Sequence, residues 1–207
     1  MERLAYLIKH RLPALFPAIE RLARSVTVLR FGRRSARALA EARIAGTVGG
    51  LPAEIRPLQA GDAGALTGFL AEMPEEQLEF FRPHGFDADT VTGVVCSRAF
   101  MTYGLFVDGY LSAYGLLKLA PTGSAFIGLL VRPRLHGRGL GRFLVHYLYW
   151  QASRAGFRAR STISEHNVAS VRAHQAVAEY RLVAELPNDY SMFEFPPGQV
   201  EPPVLQN

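Results

Sequence analysis

Near the start of the chain, Leu4, Leu7, Ile8, Leu12, Leu15, Phe16, Ile19 and Leu22 recur at intervals of three and four. That spacing places them on one face of an amphipathic helix. Pro13 and Pro17 interrupt the run and predict a kink or split, because proline lacks the amide that a helix interior needs. A second helical piece is expected from Ser35 to Ile44. Gly46 to Pro52, with three glycines and a proline, reads as a linker. A short strand follows at Glu54 to Leu58. Asp62 has the character of an N-cap for a helix reaching about Met73. Another helix starts near Pro74 with Glu75 and Glu76 in its first turn, and ends at Phe80-Phe81-Arg82-Pro83-His84-Gly85. Asp87 opens a further helix to about Arg98.

The period then shortens to two. Strands are expected at Phe100 to Val107 and Tyr110 to Leu119, joined by Asp108-Gly109, a strong tight-hairpin signal. The uncharged run Ala125 to Val131 reads as a buried strand. Helical spacing returns with Leu140, Phe143, Leu144, Tyr147 and Leu148, and Gly156 fits a C-cap. Phe157 to Ser164 alternates, with Phe157, Ala159, Ser161 and Ile163 on one face; because it follows a helix, it should run parallel to the strand before that helix. Asn167 caps a last helix, strands Arg181 to Leu186 and Ser191 to Phe195 close the sheet, and the Pro-rich stretch from Pro196 to Asn207 is expected to be a loose tail.

Chemistry concentrates between the uncharged strand and the helix after it. Pro133 ends strand pairing, and Gly137, Gly139 and Gly141 alternate before Leu140 begins the helical spacing. Glycines let the backbone approach a ligand closely. The first amides of a helix lack intrahelical acceptors, and its dipole adds positive potential there. Arg134, Arg138 and Arg142 add full charges. The unit is a pocket for a phosphate or pyrophosphate. It is not a Walker loop, since no Gly-Lys-Ser/Thr follows, and Gly-x-Gly-x-Gly lacks the spacing and distal acid of a dinucleotide fingerprint.

Val131-Arg132-Pro133 followed by His136-Gly137-Arg138-Gly139-Leu140-Gly141 resembles the acyl-CoA-binding motif of the GNAT superfamily of N-acyltransferases, usually Gln/Arg-x-x-Gly-x-Gly/Ala, with His136 in the first place. The resemblance covers roughly residues 53–195. It implies an α/β (α+β) fold: a mixed, mostly antiparallel sheet with a splayed parallel strand pair and helices on both faces, here with an N-terminal helical extension. It implies that His136, Gly137, Arg138, Gly139, Leu140, Gly141 and Arg142 hold the pyrophosphate of acetyl-CoA or another acyl-CoA. Leu129, Leu130 and Val131 would offer backbone bonds to the pantetheine arm, and Asn167 and Ser170 match the family's Asn and Ala/Ser. The family's Tyr, which protonates the departing thiolate, is His174 here; an imidazolium can perform the same transfer. The Gly-Phe that usually ends this helix is Glu179-Tyr180. No carboxylate lies on the uncharged strand, so Glu165, His84, Glu72 and Glu79 are the candidate bases, beside a water relay. His84, Phe80 and Phe81 would wall the acceptor side.

These readings give an acyl-CoA-dependent N-acyltransferase acting on a primary amine of a small molecule or peptide, by direct attack in a ternary complex. The altered positions leave a coenzyme A-binding module without turnover as the alternative. No His-Glu-x-x-His or similar spacing appears, so no metal is expected.

Charge adds one more theme. Residues 1–45 hold ten Lys or Arg and three acids, a net of +7; the remainder holds 13 and 15, a net of −2. The basic excess belongs to the N-terminal block. Three readings stay open for it: packing on its own domain or on a twin subunit in a homodimer, docking on a membrane surface or acidic partner, and a nucleic-acid arm. The last is disfavoured, since no aromatic residues interleave with the basic ones. One cysteine, Cys96, excludes a disulfide framework and reads as a buried core thiol. With no membrane-length apolar run and no signal peptide, a cytoplasmic protein is expected, with peripheral membrane contact left open. The expected division is a basic extension over 1–45, a linker over 46–52, an acyltransferase domain over 53–195 and a tail over 196–207.

Overall fold

Among the described residues, eight strands form one sheet. The computed structural model describes residues 16–206. Leu4, Leu7, Ile8, Leu12, Pro13 and Leu15 of the expected first helix lie outside them. The elements are α1 (Phe16–Ala40), β1 (Ile44–Val48), β2 (Leu51–Pro57), α2 (Ala63–Ala71), α3 (Glu75–Glu79), α4 (Ala88–Cys96), β3 (Phe100–Val107), β4 (Tyr110–Leu119), β5 (Ser124–Val131), α5 (Leu140–Arg154), β6 (Arg158–Ser164), α6 (Val168–Gln175), β7 (Arg181–Leu186) and β8 (Tyr190–Glu194). The sheet order is β1-β2-β3-β4-β5-β6-β8-β7, and neighbouring strands are antiparallel except β5 and β6. The expected fold class is the observed one.

Because side chains alternate across a pleated strand, β3 and β4 feed two cores. Tyr103, Leu105, Ala113 and Leu117 join Phe31 of α1 and Leu144 and Leu148 of α5 on one face. Phe106, Tyr114 and Leu116 join Leu66 and Leu70 of α2 and Val91 and Val94 of α4 on the other. All five apolar positions expected on the inward face of α5 are buried, each contributing about 1.5–3 kcal/mol. Leu148 seats over Gly115, where a Cβ would stand 3.2 Å from its Cδ1. Asp108 (φ 50°) and Gly109 (φ 78°) make the expected hairpin turn.

Several expectations change at the ends of the chain. α1 runs unbroken through Pro17 and Ser35 to Ala40. Pro17 falls in its first turn, where no amide partner is required, and Ile44 begins β1 rather than ending a helix. The face of α1 that packs inward carries Thr27, Phe31, Ser35 and Ala38; Phe31 meets Phe157 at 4.5 Å between ring centroids. Ile19 and Leu22 point outward.

The expected linker is a hairpin: β1 pairs with β2 from Ile44↔Ile55 to Val48↔Leu51, and Gly49 (φ 57°) and Gly50 (φ 77°) turn it. Two successive left-handed residues match the twist of tight hairpins, and composition alone reads the same glycines as a linker. The expected loose tail is packed. Leu205 is 2% exposed, its carbonyl accepts from the Thr47 amide at 3.1 Å, and Ser153 and Tyr149 of α5 donate to the carbonyls of Gly198 and Pro196. Asp62 sits at the N-cap of α2, but its carboxylate is spent on Arg56 and the Gln59 amide. Cys96 is exposed rather than buried, because α4 buries Val91 and Val94 and a residue two places further on faces away. No helix among the described residues is long and apolar enough to cross a membrane.

Candidate functional site

β5 and β6 pair only from Ser124↔Arg158 to Phe126↔Arg160. Beyond that point β5 stays with β4 as far as Val131, and β6 stays with β8 as far as Ser164. The two strands therefore splay, and the facing edge of β5 from Ile127 onward has no strand partner. A cleft of about 620 Å³ fills the gap, walled by Ile127–Val131, Ser161–Ser164, the end of α3 and the facing side of α6.

The glycine turn closes one end. A 3-10 turn at Pro133–Leu135 leads into it, and the His136 ring folds back so that Nε2 donates to the Val131 carbonyl at 2.9 Å. His136 thus ties the loop to the end of β5. Gly137 (φ 73°) and Gly139 (φ 72°) are left-handed, with Gly139 as the N-cap of α5. A Cβ at either would meet nothing within 4 Å, so backbone conformation rather than crowding demands glycine there. Gly141 instead lies against the Ala173 Cβ of α6, 3.7 Å from where its own would stand. The amides of Gly137 to Arg142 donate to no acceptor among the described residues. They form a concave array at a helix N-terminus, with Arg142 beside it. Arg138 does not line the cleft; its Nη1 turns to the β1–β2 hairpin, 2.7 Å from where a Cβ on Gly49 would stand.

α6 supplies the opposite wall. Asn167 Oδ1 accepts the Ser170 amide at 3.0 Å, and both residues line the cleft. His174 lies one turn further on, only 3% exposed. Its Nδ1 is 2.8 Å from the Ser170 carbonyl and its Nε2 is 2.8 Å from Ser161 Oγ on β6. A carbonyl only accepts, so Nδ1 carries the proton and Nε2 accepts from the Ser161 hydroxyl. Burial pushes the His174 imidazole down to about 4, against the opposing pull of the Ser170 carbonyl. The resting group is a neutral acceptor, contrary to the imidazolium expected from the sequence, because the ring is held away from water.

That depression has a consequence for stability. The unfolded imidazole takes its proton near 6.5, whereas the folded one resists until about 4. Between those values the unfolded state binds more protons, so stability falls as pH drops through the window. The loss attributable to His174 should reach about 2 kcal/mol between pH 7 and pH 5. Calorimetric melting of the wild-type protein and of a His174→Gln variant at both pH values checks this: the variant should lose correspondingly less.

The family model of the Acetyltransferase (GNAT) family matches residues 66–178, more than half of the chain. The chain belongs to the GNAT acetyltransferase family. Its fold is shared with the GNAT domain of S. lividans PAT (TM-score 0.66, 17% identity, covering 75% of this chain and 97% of that one). It is also shared with the PaiA N-acetyltransferase of Thermoplasma acidophilum in complex with coenzyme A (TM-score 0.56, 16% identity, 69% and 98% covered). A third is the aminoglycoside acetyltransferase AAC(6')-Ib in complex with coenzyme A and kanamycin (TM-score 0.54, 16% identity, 69% and 92% covered). No curated protein matches the sequence.

In this GNAT chain the cleft gathers Leu129, Leu130, Val131, His136, Gly137, Gly139, Leu140, Gly141, Arg142, Asn167, Ser170 and His174. All four candidate bases stand apart from it. Glu165 is exposed in the turn that follows β6, beside His166 (3.9 Å), with its amide donating to the Asp189 carbonyl. His84 is half-buried rather than on an open loop. Its Nδ1 donates to the Gly85 carbonyl at 2.6 Å, and its Nε2 accepts from the Tyr114 hydroxyl at 3.1 Å. Burial, then the Lys118 charge, lowers its affinity for a proton. His84 stands behind Phe81, edge to face at 6.2 Å, and it is Phe81 and Phe80 that reach the cleft. Glu72 is ion-paired with Arg132, and Glu79 is not among the lining residues. Sequence reasoning missed Glu76, Arg172 and Ser161. The first shares a helix face with Phe80, four places on. The alternation of β6 places Ser161 on one face with Phe157, Ala159 and Ile163 and gives it no polar partner.

Proposed function

We propose that this GNAT protein transfers an acyl group, most simply acetyl, from acyl-CoA to a primary amine of a small molecule or peptide within a ternary complex. The observation that carries the reading is the splayed cleft, which runs from an array of unpartnered amides to an aromatic wall. Those residues fit the cosubstrate. The amides of Gly137 to Arg142, the α5 dipole and the Arg142 charge suit a pyrophosphate. The free edge of β5 at Leu129 to Val131 suits an amide-bearing arm. Bound acyl-CoA supplies the activated acyl carbon as a thioester.

The rest falls to side chains. Phe80 and Phe81 wall the acceptor end, and Glu76 is the only carboxylate among the described residues that line the cleft, placed to attract a cationic amine. Ser161 passes its proton to Nε2 of His174 as it takes one from the attacking nitrogen; the same path returns that proton to the departing sulfur. Ser161→Ala should lower kcat about tenfold with little change in the KM for acyl-CoA, since water substitutes only partly for a positioned relay. His174→Gln should do likewise, and steady-state kinetics that leave kcat untouched in both variants would remove the relay. The same reading takes residues 44–206 as the acyltransferase unit, with β1 and the tail completing its sheet.

A thiol-release assay with acetyl-CoA and a panel of amino sugars, aminoglycosides, lysine and free peptide N-termini tests the function. Amine-dependent release is expected for at least one class. A second reading follows from β5 lining the cleft without a carboxylate: a coenzyme A-binding module without turnover. Tight binding with no release from any amine would favour it.

A further inference from the structure

α1 satisfies the core with one face and leaves another apolar. Ile19, Leu22, Val26 and Leu29 are 42%, 67%, 37% and 88% exposed. Their spacing of three, four and three makes one stripe. Four and eight places beyond Leu29 the same stripe reaches Arg33 and Arg37. These two, with Arg34 and Arg154, line a separate cavity of about 410 Å³ beside Gly156. No carboxylate among the described residues lines it. Arg154 is held in place by Glu41 through its carboxylate and carbonyl, and Arg34 extends towards Gly156, with Nη1 3.1 Å from where a Cβ would stand.

We infer that α1 docks the protein on an anionic lipid bilayer, with the apolar stripe in the interface and the arginine cavity receiving lipid phosphate. Guanidinium groups bind phosphate oxygens in pairs and tolerate partial dehydration better than ammonium groups. An apolar stripe flanked by arginines is the composition of interfacial helices. Charge asymmetry agrees in sign: the first 45 residues carry +7 and the rest −2, so the basic helix turns to an anionic surface and the body turns away. A second copy is a poor occupant. Docked antiparallel it would press Arg33 and Arg37 against Ile19 and Leu22, and docked parallel it would set arginine against arginine. The geometry also keeps the cleft open. Arg154 ends the helix whose first turn faces the cleft, so the two sites lie roughly 20 Å apart along it. This inference does not depend on the acyl-transfer reading.

Co-sedimentation of the full chain with phosphatidylcholine vesicles, with and without phosphatidylserine, tests it. The protein should pellet with the phosphatidylserine vesicles alone and be released by salt. Replacing Arg33, Arg34 and Arg37 together by Gln should lower partitioning about a hundredfold. Leu22→Ser with Leu29→Ser should lower it about tenfold. All these positions are exposed, so both variants should keep wild-type melting and acetyl-CoA binding, which separates loss of docking from loss of fold. Wild-type protein left in the supernatant of both vesicle types would overturn the inference. So would equal pelleting with both, or arginine variants that pellet like the wild type. A dimer in sedimentation velocity that the serine variant dissolves, without vesicle binding, would assign the face to a second copy instead.

Discussion

Replacing Gly139 by alanine should weaken acetyl-CoA binding by about a hundredfold, the loss of one or two charge-assisted hydrogen bonds, while leaving the fold nearly intact. Gly139 is the left-handed N-cap of α5 (φ 72°, ψ −3°). A Cβ there costs about 1–2 kcal/mol in backbone energy. Nothing lies within 4 Å of that Cβ, so the loop can relax to relieve the strain. Relaxation moves the amides of Gly137 to Arg142 out of their common concavity, and it is this array that a pyrophosphate needs. Stability should therefore fall little, by about 2–4 °C in Tm per kcal/mol. Gly141→Ala is the internal comparison. Its Cβ would make an ordinary 3.7 Å contact with Ala173 at an unstrained φ, and the variant should bind much more nearly as the wild type does. Isothermal titration together with thermal melting checks all three proteins. A Gly139→Ala protein that binds within threefold of wild type would show that the turn does not hold the cosubstrate.

Gly46→Ala should destabilise the protein by about 3 kcal/mol, close to 10 °C in Tm for a chain of this size. A Cβ on Gly46 would stand 1.9 Å from the Leu205 carbonyl oxygen and 2.9 Å from the Leu205 Cβ. The contact is mainly with backbone, so no rotamer change relieves it. Either β1 leaves β2 or the tail leaves β1. The tail is held by fewer bonds and should leave, exposing Leu205 and breaking the Thr47–Leu205 hydrogen bond. Truncation after Val204 should reproduce most of the loss and should make Gly46→Ala nearly neutral in the shortened protein. Differential scanning calorimetry of the four proteins decides the matter; additive losses would mean that the glycine acts elsewhere.

The middle of the fold was legible because local signals and burial coincide there. The β3–β4 hairpin has Asp108-Gly109, whose backbone demand is chemical, and α5 repeats apolar residues at the helical interval on the face that meets the sheet. The glycine turn was legible because the demand for glycine there is a backbone one. The ends were not. Periodicity in α1 marks an apolar face without saying whether it faces in or out, and the inward face joins Phe31 to Thr27, Ser35 and Ala38, three residues that carry little apolar signal. Gly49 and Gly50 suit a linker and a hairpin equally, and only pairing with β2 distinguishes them. Site side chains outside the turn depend on tertiary placement. His84 and Glu165 have chemistry suited to a base, but His84 stands behind an aromatic ring and Glu165 sits in the exposed turn after β6. The role proposed for Ser161 depends on His174, thirteen residues away and 2.8 Å distant.

The most direct test is a crystal soaked with acetyl-CoA. The account predicts pyrophosphate oxygens within hydrogen-bonding distance of the amides between Gly137 and Arg142, with the thioester arm along the free edge of β5 towards Phe81. Density for the nucleotide anywhere else on a well-ordered protein, or a cleft that fills with the acceptor alone, would contradict it.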